Sequence, residues 1–215
     1  MRRIFALTFL AAATTFAGSL TIDSFSDDQG PLTISNLDPT SPKSDGPVAV
    51  SDDADDRTLM ITGIGPVNPF SNVVQVAGGG LDITNGTGDD STVVVTYNLP
   101  LLAIPLGASN VQLFLTIVDS DGNPTNVQLG GVAAGNFAIP GNTSNQTVAF
   151  NVAGPPVGPG QLTLTFDGAP GWDLNVDSLG LRWTDPPQTG VPEPGSMLLI
   201  GLGISALGLL RRRAA

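Results

Sequence analysis

The sequence predicts an all-β protein, an antiparallel, jelly-roll-like β-sandwich preceded by a signal peptide and followed by one transmembrane helix. Glycine (27) and proline (18) are abundant, whereas the helix-favouring residues Glu and Lys occur only as Glu193 and Lys43. Between residues 20 and 185 the apolar residues recur with a period of two, and no window of ten residues has a helical stripe. Turn sequences such as DDQGP, NGTGDD and DSDGNP separate these runs.

Residues 1–19 have the layout of a secretory signal peptide. Arg2 and Arg3 precede an apolar stretch that runs to Phe16, and small residues follow it. Cleavage is expected after Ala17 or Ser19. An N-terminal anchor helix or a buried core helix is the alternative.

Residues 20–185 are predicted to form the β-sandwich domain. The runs QTVAFNV and QLTLTF alternate strictly and predict half-buried strands, whereas STVVVTYNL and NVQLFLTIV are apolar on both faces. In NVQLFLTIV, Phe114 and Val118 oppose the set that contains Leu113 and Leu115, which predicts a central strand. The sequence predicts about ten to twelve strands, which is too many for a single open sheet in a domain of this length. Two packed sheets are therefore expected.

The composition excludes several classes of enzyme. The chain has neither cysteine nor histidine, so disulfides, Ser-His-Asp and Cys-His nucleophiles and His-zinc sites are all ruled out. Residues 20–190 contain 18 Asp against Lys43, Arg57 and Arg182, a net charge of −15. Such a surface repels nucleic acid and anionic lipid and attracts divalent cations.

One acidic segment, DSDGN, has the spacing of the first calcium ligands of an EF-hand at Asp119, Asp121 and Asn123. The pattern then fails, because Pro124 replaces the required glycine and Gly130 the required glutamate. A hairpin turn between strands at 110–118 and 126–129 is therefore expected. The segment SDDADD at 51–56 is expected to be a solvated loop.

A structural calcium site is predicted at Asp173 and Asp177. Their segment lies at the end of the domain, and IDSFSDD, with Asp23, Asp27 and Asp28, lies at its start. If the first and last strands are neighbours, these carboxylates come close together. Jelly-roll carbohydrate-binding modules often hold calcium in such a place.

Two tryptophans, Trp172 and Trp183, fall in the final strands. One could cap the core and the other could be exposed, so both are candidate ligand-binding residues of a lectin-like module. A glycoside hydrolase would need a pair of Asp carboxylates, since the domain contains no Glu. Aspartates in a β-protein are more often turn formers, and no catalytic residue is predicted.

The C-terminal part divides into three segments. Four prolines mark an extended, exposed linker at 186–194. Residues 195–210 carry no charge and are predicted to form a transmembrane helix close to the minimum length for an apolar layer of about 30 Å. Residues 211–215 begin with Arg211, Arg212 and Arg213, which are expected to stay on the cytoplasmic side.

The segment Val191-Pro192-Glu193-Pro194, the apolar stretch and the arginine cluster together resemble the PEP-CTERM sorting signal of Gram-negative, biofilm-forming bacteria. The resemblance covers about residues 190–215. It implies that an exosortase, a multi-pass membrane enzyme, cleaves near the motif and passes the protein to the cell surface or the exopolysaccharide matrix. An ordinary membrane anchor is the alternative, and the LPxTG sequence of sortase signals is absent.

The sequence therefore predicts an exported, non-enzymatic surface or matrix protein that is held transiently in the inner membrane. Its expected partners are an exosortase and the inner membrane before processing, and exopolysaccharide afterwards, but not nucleic acid. A carbohydrate-binding, lectin-like module is the alternative function, and a glycoside hydrolase is a third. No cofactor is expected apart from the structural calcium.

Overall fold

A computed structural model describes residues 18–35, 38–39, 41–64, 71–152 and 159–185. These residues form thirteen β-strands and no helix, so the predicted all-β fold is confirmed, with slightly more strands than expected. The strands are β1 Gly18–Asp23, β2 Gln29–Ile34, β3 Lys43–Ala49, β4 Asp56–Ile64, β5 Asn72–Ala77, β6 Gly80–Thr84, β7 Asp90–Leu99, β8 Ser109–Ser120, β9 Thr125–Gly131, β10 Gly135–Ile139, β11 Ser144–Asn151, β12 Gly160–Gly168 and β13 Leu174–Thr184.

The strands form two antiparallel sheets. The seven-stranded sheet has the order β11-β8-β13-β6-β5-β2, and β1 pairs with β13 beside β6. The six-stranded sheet has the order β10-β9-β12-β7-β4-β3. β13 pairs with three strands of the first sheet. β8 lies along one side of it, and β1 and β6 follow one another along the other side.

The core lies between the two sheets and is built by alternation along the strands. In β12 the buried residues are Leu162, Leu164 and Phe166, as the sequence predicts. In β8 the inward set includes Leu113 and Leu115, again as predicted. β8 is an inner strand, between β11 and β13. The side chains that alternate with these point to the outer face of each sheet.

The expected hairpin at DSDGN is wrong. β8 belongs to the seven-stranded sheet and β9 to the six-stranded sheet, so residues 121–124 cross from one sheet to the other. The expected turn does form, since Asp121 Oδ1 accepts the backbone N–H of Asn123 at 2.9 Å. Such a turn reverses the chain equally well within a sheet and between sheets, so the local sequence does not distinguish the two.

The predicted signal peptide at 1–19 lies outside the described residues except for Gly18 and Ser19, which belong to β1. The predicted linker, transmembrane helix and basic tail at 186–215 lie wholly outside them. In the parts of the chain that the structure does describe, no helix is long and apolar enough to cross a membrane.

Candidate functional site

Both tryptophans are buried, so the expectation of an exposed indole at one of them is wrong. Trp172 is 0% exposed and Trp183 6% exposed. The Trp172 indole donates to the backbone oxygen of Ser91 at 3.2 Å, and its ring occupies the space over Gly168, where a Cβ would lie 2.5 Å from the indole Cγ. Trp183 packs in the same way on Gly18. Gly168 is the last residue of β12, close to Trp172 in the sequence, whereas Gly18 lies on β1, whose pairing with the strand of Trp183 the sequence alone does not reveal.

Asp173 lies in an acidic depression between the ends of β6 and β8. Its Oδ1 accepts the backbone N–H of Asn85 at 2.7 Å. Burial raises the pKa of Asp173, and the nearby carboxylates of Asp121 and Asp82 raise this pKa further, although the hydrogen bond from Asn85 opposes the shift. Asp177, by contrast, is exposed at a bulge in β13.

Asp173 and Asp177 are not part of a recognisable cluster of metal-ligating side chains among the described residues. Within the described ranges, no three His, Cys, Asp or Glu side chains are placed to hold a metal ion. The calcium site at Asp173 and Asp177 therefore remains a prediction.

The first and last strands are neighbours, as the calcium prediction assumed, but their register keeps Asp173 away from Asp23. Asp23 pairs with Leu179 of β13, while Asp173 precedes the first residue of that strand. At about 3.3 Å per residue, the two positions lie roughly 20 Å apart along the strand. Asp27 is partly exposed, and its carboxylate accepts hydrogen bonds from the backbone N–H and the hydroxyl of Ser51, which lower its pKa.

Asp23 belongs instead to a buried cluster around Arg57. The Arg57 guanidinium contacts the Asp23 carboxylate and the backbone oxygen of Asp27, and its Nε donates to Gln29 Oε1 at 2.8 Å. The guanidinium also lies over the Phe25 ring, 5.6 Å from its centroid. Because these groups are enclosed, we assign the cluster a structural role.

The outer face of the seven-stranded sheet carries the best candidate for a binding site, centred on Phe114. This side chain is half-buried and points away from the core, opposite Leu113 and Leu115. Its neighbours in register are small: Ala149 on β11 and Gly180 on β13. A Cβ at Gly180 would lie 2.5 Å from Phe114 Cζ, so the ring lies against the Gly180 backbone. The absence of a side chain at Gly180 leaves room for the Phe114 ring at this position.

A ladder of polar side chains runs beside Phe114 across three strands. Arg182 Nε on β13 donates to Gln112 Oε1 on β8 at 2.9 Å, and Gln112 Nε2 donates to Asn151 Oδ1 on β11 at 3.1 Å. On the other side of the ring, Thr147 pairs with Thr116, which pairs with Ser178. We call Phe114 and these six polar residues the Phe114 face.

The Phe114 face combines an aromatic surface with hydroxyl, amide and guanidinium groups that are already oriented. Aromatic rings pack against apolar surface, and fixed donors and acceptors give such a surface directional contacts. Sequence reasoning placed Phe114 opposite the core residues but interpreted it only as the sign of a central strand. The signal that was missed is the set of Thr, Gln and Asn on the same alternate positions.

The C-terminal segment and the rest of the chain are similar to different known proteins. The family model of the PEP-CTERM protein-sorting motif matches residues 190–214. The C-terminal segment is a PEP-CTERM sorting motif. The motif indicates export and a C-terminal sorting signal, as the resemblance in Val191-Pro192-Glu193-Pro194 and the three arginines implied. These motif residues lie outside the described part of the chain.

Upstream of the PEP-CTERM motif, similar solved structures are distant in sequence. The family 11 carbohydrate-binding module of Clostridium thermocellum, in complex with a β-1,3-1,4-mixed-linked tetrasaccharide, is 11% identical, with a TM-score of 0.36 over 80% of this chain and 99% of that one. TmCBM61 in complex with β-1,4-galactotriose is 8% identical, with a TM-score of 0.32 over 57% and 81%.

A third structure, PfGH50B, is 8% identical, with a TM-score of 0.35 over 60% of this chain. The chain spans only 23% of the length of that protein. No curated protein matches the chain.

Proposed function

We propose that this protein is exported, held transiently in the inner membrane by residues 195–210, and processed by an exosortase at Pro192-Glu193-Pro194. The observation that carries the proposal is the PEP-CTERM motif at residues 190–214. Three arginines directly after the apolar run favour a cytoplasmic C-terminus, which leaves the acidic domain outside. After processing, the β-sandwich remains at the cell surface or in the extracellular matrix, where it acts without catalysis.

The substitution Glu193→Ala tests the processing step. Glu193 is the only acidic residue of the C-terminal segment, so a protease that recognises the motif by charge loses its one anionic contact. We expect the variant to accumulate uncut in the membrane fraction. Gln188→Ala, in the same proline-rich segment but outside the motif, is the matched control and should be processed normally. Normal release of the Glu193→Ala protein would contradict the proposal.

The Phe114 face supports a second candidate function, the binding of an exopolysaccharide. A pyranose ring has an apolar face and a rim of hydroxyl groups, which correspond to the Phe114 ring and to the ladder of Arg182, Gln112 and Asn151. Because residues 20–190 carry a net charge of −15, neutral polysaccharides are the favoured class.

Binding can be measured on an array of neutral glycans and with the exopolysaccharide of the producing organism. Phe114→Ala should abolish binding, because it removes the stacking surface. Val118→Ala is the matched control, since Val118 lies on the same strand and the same face and is 40% exposed. Equal binding by both variants would reject the Phe114 face. Turnover of the glycan by the wild-type protein would instead favour the hydrolase alternative.

A further inference from the structure

An exposed apolar loop joins the two sheets at the end of the domain where the chain leaves it. Residues 100–108 connect β7 of one sheet to β8 of the other. Leu106 is 100% exposed and Leu101 74% exposed, the two most exposed large apolar side chains among the described residues. We call residues 100–108 the apolar loop.

The conformation of the apolar loop is fixed by contacts with the domain. Leu102 is 5% exposed and belongs to the core, and Ile104 packs against it. The backbone N–H of Ala108 donates to the Pro105 oxygen at 3.0 Å, and Gly107 has a φ of +87°, which is the pattern of a type II turn. This turn places Leu106 at its corner. The loop therefore presents its leucines to solvent in a defined arrangement.

The apolar loop lies beside the point where the C-terminal segment begins. Its last residues lead into Ser109, which pairs with Thr184, and Asn110 Nδ2 donates to Thr184 Oγ1 at 3.3 Å. Asp185 follows directly and accepts the Trp183 indole N–H at 3.0 Å. The predicted linker at 186–194 reaches at most about 28 Å when extended at roughly 3.1 Å per residue. A domain on such a tether keeps this end close to the membrane.

Charge also favours a lipid occupant for the apolar loop. Residues 98–118 contain no Asp, Glu, Lys or Arg, a long neutral stretch in a chain with a net charge of −11. Exposed apolar groups without charge are typical of surfaces that contact a membrane or a partner protein. Asp55 and Asp56 hydrogen-bond to Asn98 near the start of the loop, so anionic lipid would be repelled.

We propose that the apolar loop dips Leu101 and Leu106 into the interfacial layer of a neutral phospholipid bilayer while the C-terminal segment anchors the chain. The inference rests on the proposed membrane anchoring. Two leucines bind a bilayer weakly by themselves, but a short tether raises their effective concentration at its surface to the order of millimolar. The contact therefore keeps the domain at the bilayer surface before processing, and it is lost once the tether is cut.

The test uses the full chain in phosphatidylcholine vesicles that contain a nitroxide-labelled lipid. The chain has no cysteine, so Ala103→Cys, between the two leucines, and Thr87→Cys, at the opposite end of the domain, each carry one environment-sensitive fluorophore. We expect the lipid nitroxide to quench the label at position 103 several-fold more than the label at 87. Adding Leu101→Asn and Leu106→Asn to the Ala103→Cys chain should remove the difference.

Flotation of the vesicles separates this inference from the proposed function. If the chain floats with the vesicles but both labels are quenched equally, anchoring stands and the loop contact is overturned. A label at 103 that enters an apolar environment without being quenched would mean that a second copy covers the loop, which also overturns the proposal. A chain that does not float at all overturns both the loop contact and the anchoring.

Discussion

Arg57 and Asp23 form an ion pair whose two side chains are completely buried between the sheets. The pair joins β4 of the six-stranded sheet to β1 of the seven-stranded sheet. The Phe25 backbone N–H also donates to Asp23 Oδ1 at 2.7 Å. Burial and the Asp23 carboxylate hold the pKa of neighbouring Tyr97 well above its usual range, so this phenol stays neutral. The two sheets are thus tied by a satisfied polar cluster as well as by apolar packing.

Removing one member of the pair should destabilise the fold strongly. Asp23→Ala leaves the Arg57 charge buried without its carboxylate, and such a change costs about 3–5 kcal/mol. The free energy of unfolding in urea measures the loss. Asp53→Ala, at an exposed position in the nearby loop, should change it by no more than about 0.5 kcal/mol. Equal stabilities of the two variants would show that the pair does not join the sheets.

The contact between Trp172 and Gly168 should make this glycine intolerant of a side chain. A Cβ at Gly168 would overlap the indole, so Gly168→Ala should lower the free energy of unfolding by about 1–3 kcal/mol. Gly130→Ala on the adjacent strand is the control, since its Cβ would meet Thr163 at an ordinary 3.7 Å. Thermal or urea unfolding of the two variants gives the comparison. A Gly168→Ala protein as stable as Gly130→Ala would refute the packing.

Because the pKa of Asp173 is raised, replacing its carboxyl group by a neutral amide should stabilise the fold, and the size of this effect should depend on pH. At neutral pH its carboxylate is charged although it is partly buried and lies close to Asp121 and Asp82, which lowers the stability of the fold. Asp173→Asn keeps an oxygen for the Asn85 N–H but removes the charge, so its Tm at pH 7 should exceed that of the wild type. The gain should shrink as the pH falls through the raised pKa towards 3.8, because the wild-type carboxyl then becomes neutral.

Circular dichroism melts between pH 4 and pH 7 follow this difference. Asp177→Asn, at the exposed bulge, should leave the Tm almost unchanged. A gain that stays constant over the whole range would exclude titration of Asp173 as its cause. Millimolar calcium in the same melts tests the predicted site, since binding at Asp173 and Asp177 should raise the Tm of the wild type but not of Asp173→Asn.

The packing of β1 distinguishes between the two expected signal-peptidase positions. Gly18 pairs with Trp183 and lies against its indole, and Ser19 pairs with Arg182. Cleavage after Ser19 would remove both pairs, whereas cleavage after Ala17 leaves β1 whole. We therefore expect the mature protein to begin at Gly18. N-terminal sequencing that instead begins at Leu20 would contradict this expectation.

The sequence predicted the parts of the fold that depend on alternation. Leu162, Leu164 and Phe166 are buried together because a strand with period two can present them to only one face. The partners across the fold were not predictable in this way. Arg57 directly follows the acidic segment SDDADD in the sequence, and only the packing of the two sheets brings it to Asp23 and Gln29.

The candidate site also has one part that the sequence pattern predicts and one part that it does not. The outward position of Phe114 follows from the pattern of its strand, but its accessibility depends on Gly180 and Ala149, which come from two other strands. The burial of Trp183 likewise depends on Gly18, which lies on the neighbouring strand β1. The PEP-CTERM motif was recognisable because all of its parts are contiguous in the chain.

The most direct test of the whole account is the mass of the mature extracellular protein. Processing at the PEP-CTERM motif predicts a chain that ends near Pro192-Glu193-Pro194 and lacks the apolar segment and the three arginines. Intact-mass spectrometry of the protein recovered from the cell surface or matrix measures this end. A mature form that retains its C-terminus through Ala215 would contradict the account.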